Sequence, residues 1–222
     1  MQMEKYIPIF PLNTVLFPGT ILELQIFEER YKKMIYSALK NHQNIGIFCI
    51  KEGLEAYGPL PEPYEIGTLG KIYEHDPVEY LSMDDIIFRI SILGLKKIKL
   101  LHYYESHDKY LVGNIINQEE NIISNNITLE QKQAFLNEVK EYLKYQNIQN
   151  IDQFTTDNFI LLCHIAIKFL NLPLSDKQRL LELSSFEERW KETYKILKYK
   201  NEIIKQLENV QEYRQNDIDD YN

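Results

Sequence analysis

Hydrophobic positions divide the chain into two stretches of different period. From Tyr6 to Asn117, short runs of β-branched and aromatic residues predict strands at Tyr6–Phe10, Ile21–Ile26, Asn44–Ile50, Ile66–Tyr73, Ile86–Leu101 and Tyr110–Ile116. Between them lie segments of turn chemistry, "EGLEAYGPLPEP", "EHDP" and "SHDK". One helix interrupts the series. Glu28–Lys40 sets Tyr31, Met34, Ile35, Ala38 and Leu39 at helical spacing, so this helix is predicted to lie against the strands and close the end of a barrel.

After the polar stretch "NQEENIISNN" the period becomes helical. Capping boxes at Thr128/Gln131, Ser175/Gln178 and Ser185/Glu188 mark helix starts. The predicted helices are Thr128–Tyr145, Thr156–Leu170, Ser175–Leu183 and Ser185–Gln211, with a boundary between Asn117 and Ile127. This gives a β-rich subdomain over 1–117 and a helical bundle over 118–222 that ends in the acidic tail "QNDIDDYN". The last helix carries Phe186, Trp190, Tyr194, Leu197, Ile204 and Leu207 on one side and must bury that side, so the two halves are expected to unfold together.

Composition narrows the function classes. With 222 residues, 44% hydrophobic and 26% charged, the chain is long enough to build its own core. A net charge of -8 argues against a broad phosphate-neutralising surface, so no nucleic-acid partner is expected. The start, "MQMEKYIPIFPL", has an early acidic residue and two prolines and is not expected to act as a signal peptide. No run approaches the ~18 apolar residues of a membrane span. Cys49 and Cys163 fall in apolar runs that read as buried strand and buried helix, hence as reduced thiols, and a cytoplasmic location is expected.

No constellation of catalytic or metal-ligating residues stands out. Gly67-Thr-Leu-Gly70-Lys71-Ile72 lacks the spacer and the hydroxyl of a phosphate loop and lies in a strand pattern, where two glycines serve a bent strand. His42, His75, His102, His107 and His164 share no ligand spacing, so no metal is expected. Cys163 and His164 are adjacent but point to different sides of their helix, which disfavours a nucleophile–base pair. No GxSxG or SxxK serine marker is present, and no cofactor is expected.

The stretch "FPLNTVLFPGTILELQIFEERYKKM", Phe10–Met34, resembles the N-terminal substrate-binding domain of the ATP-dependent protease Lon. The matching elements are Phe10-Pro11-Leu12, Leu16-Phe17-Pro18-Gly19 and Ile26-Phe27-Glu28-x-Arg30-Tyr31. "IGTLGKI" at Ile66–Ile72 and "LPLSDKQRLLELSSFEERW" at Leu172–Trp190 continue the resemblance in order. Glu23 departs from it, standing where many relatives have proline, and "ILGLKKIKLL" lacks the Gly-x-Arg-Arg-Phe often found there. The resemblance implies an α+β fold, a PUA-like β pseudobarrel with one inserted helix followed by a C-terminal helical bundle. It also implies a non-catalytic module, without ATPase or protease parts, that binds unfolded polypeptide or a specific protein partner. An apolar groove where barrel meets bundle, or an unpaired strand edge, would serve that purpose. The candidate binding residues are Phe17, Pro18, Phe27, Arg30 and Tyr31. Two readings stay open for them: Phe10 and Phe17 enter the core around a tight connection at a barrel edge, or the Phe-Pro loop is exposed to a partner. Arg30 either holds the fold through an ion pair or binds peptide. An RNA-binding PUA-like protein and an unrecognised hydrolase are the alternatives.

Overall fold

The structure, a computed structural model, describes residues 5–55, 59–80, 86–121 and 127–219, with side chains described for all of these except 75–80, 86–88 and 210–219. The strands are β1 (Lys5–Leu12), β2 (Ile21–Ile26), β3 (Ile45–Glu52), β4 (Glu62–Pro63), β5 (Ile66–Tyr80), β6 (Ile86–Glu105) and β7 (Leu111–Asn117). The helices are α1 (Glu29–Lys40), α2 (Leu129–Tyr145), α3 (Phe159–Phe169), α4 (Leu174–Glu182) and α5 (Phe186–Asp219), with a 3-10 turn at Ile151–Gln153. Two compact units result: one holds residues 1–121 and 171–184, the other 122–170 and 185–222.

In the first unit the strands follow the order β1-β7-β6-β5-β3-β4, and a parallel pairing of β1 with β3 brings the sheet back on itself. β1 is buried on both faces. Ile7 and Ile9 join a cluster with Phe48, Ile98 and Leu100, while Phe10 and Leu12 join one with Tyr31, Met34, Ile35 and Ala38 of α1. A strand covered on both sides reads as a continuous apolar run, as "IPIFPL" does.

The prolines do not mark an edge strand, since β1 is flanked by β7 and β3 and does not pair with β2. Pairing with β7 covers Lys5–Ile9 and pairing with β3 covers Ile9–Leu12, so Pro8 and Pro11 each sit where only one neighbour is engaged. That is how an interior strand accommodates two missing donors. The second Phe-Pro pair forms a turn: Thr20 N–H donates to Phe17 O at 3.1 Å, Pro18 and Gly19 occupy the central positions, and Gly19 has φ 80°. Proline followed by a positive-φ glycine is the type II pattern. The turn lies against β6 at Gly94, where a Cβ would stand 2.5 Å from Phe17 O.

α4 belongs with the strands, although the expected boundary after 117 would put it with the other helices. Lys97 of β6 is buried and its ammonium donates to Leu181 O at 3.0 Å and Leu183 O at 2.6 Å, covering the carbonyl end of α4. Gln178 donates to Ile66 O at 2.9 Å and to Glu182 Oε1 at 2.9 Å. The Ser175/Gln178 capping box is therefore not made: α4 begins at Leu174 after Pro173, no side chain caps it, and Gln178 is drawn to β5 instead.

In the second unit the Thr128/Gln131 box is complete, and Ser185 Oγ accepts from Glu188 N–H at 3.4 Å. Aromatic rings fill its core, with Phe159 5.3 Å from Phe135 and 5.7 Å from Trp190. Asn201 of α5 donates to Glu138 O at 3.0 Å and to its carboxylate at 2.7 Å, tying α5 to α2. α5 extends to Asp219, beyond the expected end at Gln211.

Candidate functional site

β2 pairs with β6 along one edge, and among the described residues no strand pairs with its other edge. Ladder parity decides which backbone groups face that open edge. Gly94 N–H donates to Thr20 O at 2.9 Å while Gly94 O accepts from Gly19 N–H at 2.8 Å, a bulge at Gly19 that leaves Thr20 facing Gly94 on the bonded side of the ladder, and bonded positions alternate with non-bonded ones in an antiparallel ladder. With Leu22 opposite Ile92 and Leu24 opposite Ile90, the even positions bond β6. Glu23 and Gln25 therefore turn their N–H and C=O groups outward. This also explains why position 23, where the resemblance suggested proline, can take either residue: its N–H is not used by the ladder.

The two faces of β2 differ chemically. Leu22, Leu24 and Ile26 point to the cluster around α1, whereas Glu23 and Gln25 are exposed. On the exposed face, register sets Glu23, Ser91 and Glu74 in a row across β2, β6 and β5, with Gln25 opposite Arg89 beside it. These residues line an open trough of about 480 Å³. Among the described residues neither Glu23 nor Glu74 forms an ion pair.

On the other face a cleft of about 100 Å³ opens between β2 and the start of α1, lined by Phe10, Leu24, Phe27, Glu28, Tyr31 and Glu55 among others. Tyr31 forms its wall. Its ring lies 4.3 Å from Phe10, and the Arg30 guanidinium sits 4.8 Å above it. The Tyr31 hydroxyl is buried and has no hydrogen-bond partner among the described residues. Burial pushes its pKa up to about 12; the Arg30 guanidinium opposes that shift, and Glu28 and Glu55 add to it. Glu28 precedes α1 in an extended conformation, does not cap it through its side chain, and pairs with Arg30 at 2.8 Å. Glu55 accepts the Asn13 N–H at 2.8 Å.

The five expected binding residues thus fall in two places. Phe27, Arg30 and Tyr31 gather at the cleft: Phe27 is 49% exposed, Tyr31 is 3% exposed, and Arg30 is held by Glu28. Phe17 is fully buried and Pro18 is half-buried in the turn over Gly94, so the Phe-Pro pair builds core and turn and Phe17 presents no surface. Leu24 and Gln25 were legible in the alternation of "ILELQI". Glu55, Glu74 and Arg89 had no local signal, because only register and a long loop bring them to β2.

The other chemical candidates are occupied by packing. At Gly67 a Cβ would stand 2.5 Å from Ile47 O, and at Gly70 2.5 Å from Ile92, so both glycines permit close strand approach. Cys163 Sγ lies 3.9 Å from Thr193 Oγ1, while His164 Nε2 lies 3.3 Å from Arg189 Nη1, both buried. Lys97, which could be read as part of a solvent-facing basic cluster with Lys96 and Lys99, is the buried cap of α4. The side chain of His75 lies outside the described residues. Among the described residues no three His, Cys, Asp or Glu side chains converge as a metal site, and no helix is long and apolar enough to cross a membrane.

Residues 6–199 match the family described as the ATP-dependent protease La (LON) substrate-binding domain. Among curated proteins, the chain is 24% identical over 212 residues to a Lon protease of Anaeromyxobacter dehalogenans, covering 92% of this chain and 24% of that protein. It is 26% identical over 229 residues to a Lon protease of Dictyoglomus thermophilum, covering 98% of this chain and 27% of the relative. The chain thus spans about a quarter of the length of these relatives. Two solved structures share the fold. One is a Lon N-terminal domain protein from Xanthomonas campestris, with TM-score 0.58, 17% identity, and coverage of 85% of this chain and 96% of that one. The other is the N-terminal domain of Mycobacterium avium complex Lon protease, with TM-score 0.63, 16% identity, and coverage of 87% and 98%. Since the family match extends over most of the chain, this protein belongs to the Lon substrate-binding domain family.

Proposed function

We propose that this chain is a non-catalytic, cytoplasmic module with a PUA-like pseudobarrel that binds polypeptide, either unfolded segments or a specific protein partner. The observation that carries this reading is the match of residues 6–199 to a family of substrate-binding domains. The open edge of β2, with a cleft on one face and a trough on the other, supports it, because an extended peptide needs backbone partners and a place for alternate side chains. The packing roles of Gly67, Gly70, Cys163, His164 and Lys97 support the non-catalytic reading.

Fluorescence anisotropy tests the reading. A labelled, reduced and carboxymethylated polypeptide that cannot fold is titrated with the protein, and saturable binding is expected. Because apolar burial contributes roughly 25 cal/mol per Å² with little dependence on salt, affinity for apolar-rich chains should survive moderate salt. Absence of binding, or tighter binding of single-stranded RNA that collapses as salt rises, would favour the nucleic-acid alternative or neither.

A further inference from the structure

We propose that the β2 edge takes up its partner as an added strand, and that the segment it selects alternates apolar and basic residues. The inference rests on the polypeptide-binding reading and specifies its site and sequence preference. Three features of β2 combine.

First, Glu23 and Gln25 direct backbone donors and acceptors outward at an edge that no described strand covers. In β2 these two residues stand two positions apart, the spacing at which an added antiparallel strand is bonded. Second, an added strand has side chains pointing alternately to the two faces of the sheet. Those on the inner face meet the apolar cleft at Leu24, Phe27 and Tyr31, whose 100 Å³ suits a single large apolar side chain. Third, those on the outer face lie beside Glu23, which is exposed and forms no ion pair among the described residues. Arg89 and Glu74, the other charged residues that line the trough among the described residues, stand on β6 and β5 behind β2, so the charge that faces an incoming strand is Glu23. Cross-strand neighbours of opposite charge stabilise a pair and like charges oppose it. Lysine or arginine is therefore selected opposite Glu23, and an apolar residue is selected next to it.

The test uses the full chain and a fluorescein-labelled nine-residue peptide in which valine and lysine alternate and phenylalanine takes the central apolar position. Saturable binding is expected. A version with glutamate for lysine should bind about two- to fivefold more weakly, the range of a cross-strand charge pair. Glu23→Lys should reverse that preference. Glu23→Pro removes an outward N–H that β6 does not use, so the fold should persist by circular dichroism while peptide affinity falls at least about tenfold. A peptide N-methylated at alternate amides should lose binding to the unaltered protein. If Glu23→Pro impairs folding, the charge swap and the N-methylated peptide decide. Should the peptide bind equally well after both backbone changes, or show no charge reversal with Glu23→Lys, the added-strand inference is overturned. If it fails to bind while the unfolded polypeptide still does, only the inference falls; if neither binds, the functional reading falls with it.

Discussion

Replacing Lys97 by methionine isolates the contact that holds α4 to the strands. The side chain is buried, and its ammonium donates to Leu181 O at 3.0 Å and to Leu183 O at 2.6 Å. Each hydrogen bond from a charged donor contributes about 1.5–3 kcal/mol, and a cation at a helix C-terminus adds about 0.3–1 kcal/mol. Two effects reduce the sum. Leu183 is only half-buried, so its freed carbonyl regains water, and methionine needs no desolvation of a charge. The expected loss is about 2–4 kcal/mol, equivalent to a fall in Tm of about 4–16 °C for a domain of this size. Urea titration followed by the β signal in circular dichroism measures it, with Lys96→Met as control because Lys96 is exposed. The control should change stability by no more than about 0.5 kcal/mol. If both variants lost equally little, Lys97 would be a solvated strand residue and the anchoring of α4 would rest on Gln178 and apolar burial alone.

Gly94→Ala should destabilise by more than about 2 kcal/mol, since its Cβ would stand 2.5 Å from Phe17 O, a backbone atom that cannot swing aside; thermal melts of purified variant measure it. Tyr31 gives an alkaline signature. With its folded pKa raised to about 12 and an unfolded value near 10, the folded state keeps a proton that the unfolded chain gives up, so its contribution is full below about pH 10 and is lost as pH rises towards about 12. At about 1.36 kcal/mol per unit, urea midpoints at pH 9 and 11 should differ more for the unaltered protein than for Tyr31→Phe. Equal differences would show that Tyr31 ionises freely. Burial pushes the Cys49 thiol up to about 11, reinforced by Glu182 and Glu55, so iodoacetamide at pH 8 should leave Cys49 unmodified in the native protein and alkylate it in urea.

The fold was legible where periodicity is dictated by burial on one side. α1 repeats its apolar positions as expected, and its boundary moves by one residue, from Glu28 to Glu29. β5 and β6 extend well past the expected ends, to Tyr80 and Glu105, because long pairing between them sustains a strand through "EHDP", which locally spells a turn. The Phe-Pro pairs at Pro11 and Pro18 suggested a barrel edge; the sequence carries no mark that pairing of β1 with β7 stops where its pairing with β3 begins. Gln178 likewise has the spacing of a cap, yet a carbonyl of β5, more than a hundred residues away, takes its amide. At the candidate site, Phe27, Arg30 and Tyr31 came from a local motif. The acidic row of Glu23 and Glu74 depends on strand register and was legible only in the structure.

Hydrogen exchange read by mass spectrometry, with and without a saturating unfolded polypeptide, tests the central claim most directly. Outward N–H groups of an unpaired edge exchange readily and become protected once a strand is added. The expected result is slowed exchange confined to β2, chiefly at Glu23 and Gln25, and to the Phe27–Tyr31 segment that lines the cleft. Unchanged exchange across residues 21–31 at saturation, with protection elsewhere or nowhere, would contradict the account.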